Sequence, residues 1–161
     1  MDVLQFAIDM ELDGERYYRE QAAKNAGNAL HVVFGLLADD EAKHAGILQN
    51  RMDGKTYALK PHEQLTRQMS LFAEQEKPDE PENLAPDQAD AYHAALQKEQ
   101  QSIDLYSDLR GKANDAETEA LFDFLIQEET MHRHILTEMY HHVNRPREWV
   151  EAAEFGVREE Y

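Results

Sequence analysis

The chain writes one constellation twice. Glu11, Tyr18, Glu41 and His44 are followed 88 positions later by Glu99, Tyr106, Glu129 and His132. Apolar companions keep the same offset: Phe34 with Phe122, Leu37 with Leu125, Ile47 with Ile135, Leu48 with Leu136. The repeat therefore calls for two equivalent halves around a shared core. It also sets carboxylates among core positions, where an uncompensated charge is too costly to keep.

Around the repeat the sequence reads as helix nearly throughout, with few β-branched residues and seven glycines in 161 residues. A first helix is expected from about Asp2 to Lys24, ended by Asn25-Ala26-Gly27-Asn28, with Gly27 or Asn25 in a left-handed cap. A second runs from about Ala29 to Met52 and stops at Asp53-Gly54. A shorter periodic stretch, Pro61 to about Glu76, opens with proline in its first turn. The acidic, proline-rich run from Lys77 to Pro86 follows. A third long helix, about Asp87 to Lys112, turns at Ala113-Asn114-Asp115 into a fourth, about Ala116 to Asn144. Arg145-Pro146 is expected to break that helix, because proline removes a backbone donor. What remains is a short segment bearing Trp149, Phe155 and Tyr161, expected to pack on the bundle or at an oligomer interface.

Connection lengths give the topology. Short joins make each pair of long helices an antiparallel hairpin, and the long crossover between pairs can span a bundle. The expected fold class is all-α: a ferritin-like four-helix bundle of two hairpins, with a short helix in the crossover. Residues 1–144 form the bundle domain, with the crossover at about 53–86 and a C-terminal extension at 145–161.

Glu-x-x-His is a weak signal by itself. With 20 glutamates and 8 histidines, chance supplies about one such pair. Three occur: Glu41/His44, Glu129/His132 and Glu138/His141. Facing separates them. In the second helix the inward stripe is Leu30, Phe34, Leu37, Glu41, His44, Leu48; in the fourth it is Phe122, Leu125, Glu129, His132, Leu136, Met139. Glu138 falls on the opposite face at about 100° per residue and is expected at the surface. Level agrees. The midpoint of Glu11 and Glu41 is position 26, inside the first turn, and that of Glu99 and Glu129 is 114, inside the second. Each helix thus brings a carboxylate to one height, about 22 Å from the hairpin end.

The chemistry follows from that layer. Glu11 and Glu99 can serve as terminal ligands, Glu41 and Glu129 can bridge two ions, and His44 and His132 can each give one nitrogen. Mixed oxygen and nitrogen donors suit two iron ions, with manganese as the alternative; calcium prefers oxygen alone, and structural zinc prefers thiolates. Tyr18 and Tyr106, seven residues after the terminal glutamates, are placed to donate a phenol hydrogen bond to a ligand carboxylate of another helix. Without metal, four buried carboxylates beside two imidazoles would cost several kcal/mol per unpaired ion, on the order given for such burial, and no seam lysine or arginine offsets them.

The pattern resembles the rubrerythrin-like branch of the ferritin-like superfamily over residues 2–144 or so. The resemblance rests on Glu11…Tyr18…Glu41-Ala42-Lys43-His44, on Glu99…Tyr106…Glu129-Thr130-Met131-His132, and on the crossover. It implies a di-iron site that reacts with peroxide or dioxygen, in a homodimer or higher oligomer. Two departures matter. Rubrerythrins proper carry a four-cysteine rubredoxin domain, and this sequence has no cysteine. Electrons are therefore expected from an external donor such as a rubredoxin-like protein or reductase. Rubrerythrins also carry an extra glutamate three residues after the helix-three ligand; here that position is Ser102, which weighs against peroxidase activity but not against metal binding. A ferroxidase, a di-iron substrate hydroxylase and a non-enzymatic metal-binding bundle are the competing expectations.

Composition narrows the partners. With 33 acidic and 16 basic residues and a formal charge of −17, the chain repels nucleic acid and anionic lipid and gathers cations. No nucleic-acid or membrane partner is expected. The lack of cysteine excludes disulfides, thiolate zinc sites and iron–sulfur clusters. The stretch Met1 to Gln5 is unlike a signal peptide, and no apolar run approaches the ~20 residues of a membrane span, so a cytoplasmic location is expected. Among the remaining candidates, Glu15 is expected half-exposed, and Asp40 and Glu128 either bond to a histidine of a neighbouring helix or face solvent, with solvent favoured. His31, His62, His93, His134, His141 and His142 are expected at the surface.

Overall fold

The computed structural model describes residues 2–27, 30–74 and 86–156; the side chains of 69, 71–74, 86–88 and 142–156 lie outside the description. The elements are α1 (Val3–Lys24), α2 (Leu30–Met52), α3 (Glu63–Glu74), α4 (Pro86–Gly111) and α5 (Ala116–Gly156). No strand occurs among the described residues. The all-α, ferritin-like architecture stands.

Local chemistry sets the ends. Asp2 caps α1, its carboxylate accepting from the Leu4 amide at 2.9 Å. Asp115 does the same for α5 through Thr118 at 2.8 Å. α2 ends in a Schellman turn: Lys55 N–H donates to Asn50 O at 2.8 Å and Gly54 N–H to Arg51 O at 3.3 Å. Gly54 supplies the left-handed residue at φ 69°.

Two boundary expectations fail. Neither Asn25 nor Gly27 is left-handed; Asn25 sits at φ −110°, ψ 26°. It closes α1 by other means, its backbone N–H bonding Ala22 O at 3.1 Å and its side-chain amide bonding Gln21 O at 2.8 Å. Nor does Pro146 break the last helix, which continues to Gly156. A proline costs one hydrogen bond and about 3 kcal/mol. The downstream run, rich in glutamate and alanine, favours helix strongly enough to keep the segment helical. The expected packing of Trp149, Phe155 and Tyr161, and the proline-rich run at 75–85, lie outside the described residues.

α1 packs on α2 and α4 on α5, while α3 lies against α2. Leu65 of α3 is buried and joins the same apolar cluster as Tyr92 and Leu136. The core comes in two apolar blocks. One gathers Tyr18, Leu30, Phe34, Leu37, Tyr92 and Ile135; the other gathers Ile8, Leu48, Tyr106, Leu121, Phe122 and Leu125. The repeat is visible in them. Phe34 stacks on Tyr18 at 6.2 Å and 23°, and Phe122 stacks on Tyr106 at 6.1 Å and 24°. A charged layer holds the ground between the blocks.

Candidate metal centre

Glu11, Glu41, His44, Glu99, Glu129 and His132 are all buried and converge on that layer. Two sets of side chains each bring one ligand atom per residue within 4.8 Å of the others: Glu11, Glu41, His44 and Glu129, and Glu41, Glu99, Glu129 and His132. Glu41 and Glu129 belong to both, the arrangement a bridging pair needs. His44 Nδ1 lies 3.1 Å from Glu129 and 3.6 Å from Glu11. His132 Nδ1 lies 3.0 Å from Glu41 and 3.3 Å from Glu99. Both imidazoles therefore turn Nδ1 toward the carboxylates and Nε2 away, and their rings stack at 5.6 Å and 16°.

The tyrosines cross between helices. Tyr18 of α1 donates to Glu99 of α4 at 2.5 Å, and Tyr106 of α4 donates to Glu11 of α1. Burial, and then the charge of Glu99 or Glu11, pushes each phenol well above its usual value. Each phenol holds its proton and remains a donor.

In the absence of cations, protons neutralise the layer. Burial and the charge of Glu11 push Glu41 and Glu129 well above the carboxylate range. Burial would also raise Glu11, but its neighbours Glu41 and His44 outweigh that and hold Glu11 at about 2. Burial would lower His132; Glu99, Asp40 and the other carboxylates override it and push the imidazole well up. Even so, one oxygen each of Glu11, Glu99 and Glu129 is buried with no hydrogen-bond partner. Orphaned carboxylate oxygens facing imidazole Nδ1 atoms, with no lysine or arginine paired to them among the described residues, fit divalent cations.

Sequence reasoning misplaced a second tier. Asp40, expected in solvent, is 1 % exposed, and its Oδ2 lies 2.5 Å from His132 Nε2. Glu128 is 8 % exposed and lies 3.9 Å from His44 Nε2. Both obey the 88-residue offset and immediately precede a shared glutamate. A ligand histidine needs a partner for its second nitrogen, and that was the signal to weigh. His62, also expected at the surface, is half-buried with Nδ1 3.3 Å from Asp40. His31, His93, His134, His141 and Glu138 are exposed as expected, whereas His142 lies outside the described side chains. Glu15 is half-exposed and pairs with Arg19 at 3.4 Å.

Helix order and a buried carboxylate–histidine layer together define a ferritin-like bundle with a candidate metal site. The rubrerythrin family model matches residues 2–140, which takes in both hairpins and every residue of the layer. The chain belongs to the rubrerythrin family, a ferritin-like di-iron family. No curated protein and no solved structure matches it. Among the described residues, no helix is long and apolar enough to cross a membrane.

Proposed function

We propose that the chain is a non-haem di-iron oxidoreductase of rubrerythrin type, reducing peroxide or dioxygen with electrons from an external donor. The observation that carries this reading is the sharing of Glu41 and Glu129 by both ligand sets. A two-iron centre, when bound, supplies two-electron reduction of peroxide. Manganese fits the same donors.

The chain's own residues do the rest. Glu11 and Glu99 close the two ends of the layer, each oriented by a tyrosine of the opposite hairpin. Asp40 fixes the ring of His132 through Nε2 and so aims Nδ1 at the layer. The apolar blocks above and below exclude water, which strengthens every charge interaction between them. These 161 residues hold no cysteine for a rubredoxin-type iron, and the donor proposed is external to them, a rubredoxin-like carrier or a reductase. A cytoplasmic homodimer or larger assembly is the setting proposed, with no nucleic-acid or membrane partner for so acidic a chain.

The test is direct. Apoprotein is loaded anaerobically with Fe(II), metal is counted per chain, and the product is mixed with peroxide or dioxygen in a stopped-flow spectrometer. Two irons per chain and faster oxidation by peroxide are expected. Faster oxidation by dioxygen moves the assignment to a ferroxidase or an oxygenase. Failure to bind a pair of ions sinks the site.

A further inference from the structure

We propose that the cavity between α1 and α4 is the port through which a hydrated divalent cation reaches the layer, with Asp9 and Asp13 drawing it in and Gly14 and Ser102 leaving it room. The inference rests on the di-metal reading above and adds to it a route and a selectivity.

The cavity holds about 400 Å³ and reaches Glu41 and Glu99 at its inner end. At about 30 Å³ per water, a hexahydrated ion needs on the order of 200 Å³, so it fits without first losing its shell. The buried, unpartnered Oε2 of Glu99 is a ligand atom available where the cavity ends. Gly14 is the reason the passage is open. A Cβ there would sit 3.3 Å from Glu41 Oε2, although glycine inside a helix costs about 1 kcal/mol relative to alanine. Its equivalent 88 positions on is Ser102, also small and also in the wall. Ser102 Oγ is turned aside, donating to Lys98 O at 3.1 Å. The port thus lies on the pseudo-twofold axis that relates the hairpins. The other end of that axis is obstructed by the stacked rings of His44 and His132, with Asp40 and Glu128 behind them.

Charge decides what enters. Beside Glu41, whose carboxyl is pushed well up by burial in apoprotein, three carboxylates and one ammonium line the cavity: Asp9, Asp13 and Glu99 against Lys98. Asp9 and Asp13 are exposed at the mouth. Arg16 pairs with Asp13 at 2.7 Å, but that pair is solvent-exposed and readily screened. Lys98 is drawn over the Tyr17 ring at 5.2 Å. The net field attracts cations and turns away small anions.

The experiment follows Co(II) uptake by the full-length apoprotein, using the visible absorbance of the bound ion in a stopped-flow instrument at low ionic strength. The Asp9→Asn/Asp13→Asn double variant is expected to load roughly tenfold more slowly, the scale of electrostatic steering, with unchanged final stoichiometry. The deficit should close in high salt. Lys98→Gln should load about twofold faster by the same field argument. Ser102→Phe, which plugs the passage, should slow uptake at every ionic strength. Removing the same charge elsewhere, in Glu20→Gln/Asp90→Asn, should leave the rate alone. If the Asp9/Asp13 variant loads at the wild-type rate, or the Glu20/Asp90 control slows equally, the port is wrong. Wild-type protein that binds no Co(II) would instead overturn the di-metal reading beneath it.

Discussion

The two hairpins bring the same side chains to the same height, yet they back their histidines differently. His132 has Asp40 at 2.5 Å, with no solvent reaching that carboxylate's side chain. His44 has the same Asp40 at 3.8 Å and Glu128 at 3.9 Å, and its Nε2 is left without a hydrogen bond. Burial would raise Asp40, but the bond to His132 outweighs it and holds the carboxyl at about 2. Burial and the charge of Asp40 push Glu128 up instead. One histidine thus bonds a fixed anion directly, while the other stands off from that anion and from a more readily protonated acid. A duplicated motif does not make two equal histidine environments.

The largest test breaks the repeat itself. Glu129→Ala should abolish paired metal binding, because Glu129 serves both positions, while Glu138→Ala should leave it intact; metal counting after gel filtration distinguishes them. Equal losses would refute the facing assignment. The next test probes the asymmetry. Asp40→Asn should lower metal affinity roughly 10- to 100-fold, the usual effect of removing a histidine ligand's anionic partner, and Glu128→Gln should change it less than about threefold. Competition titration with a chromophoric chelator measures both, and equal effects would erase the distinction between hairpins.

Smaller effects should be symmetric. Tyr18→Phe and Tyr106→Phe each strip one hydrogen bond from a buried carboxylate and should each cost about 1–3 kcal/mol in urea unfolding of apoprotein. Values differing by more than about 1 kcal/mol would show that the crossed phenols are not equivalent.

The pH dependence of the metal-free protein should be shallow but diagnostic. Folding raises Glu41 and Glu129 above their ordinary 4.5 and His132 above its ordinary 6.5. The folded state therefore binds more protons than the unfolded chain above those values, and stability falls as pH rises. Glu11 and Asp40, both held at about 2, act oppositely: their contribution is present above their ordinary values and is lost as pH falls toward 2. Apoprotein should accordingly melt at lower temperature at pH 8 than at pH 5.5. Bound cations replace the layer's protons, so metal should flatten that slope. A melting temperature that rises with pH in apoprotein would contradict this proton count.

Much of this was legible because helices transmit periodicity faithfully. The seam positions of Glu41, His44, Glu129 and His132 and the midpoints at 26 and 114 needed only 3.6 residues per turn and two short loops. What sequence periodicity could not show was how deep the edge of a stripe lies. Asp40 is one residue from the seam, and a bundle whose histidines need a second partner folds over it. Pro146 failed as a boundary for a related reason: one lost backbone bond is a local penalty, while helix formation is summed over a whole segment. Asn25 likewise had a side-chain amide available to close α1 without a left-handed turn.

The charged layer between the two apolar blocks also acts as a gauge of alignment. Leucine-rich seams tolerate sliding by a heptad, since one leucine replaces another. Here a one-turn slide of α5 along α2 would press Glu129 toward Leu37 or Leu48 and take it away from His44, a cost no gain of apolar contact along the seam would recover. The same side chains that gather cations thus fix how far each helix may travel along its neighbour, and this bundle has one stagger rather than several.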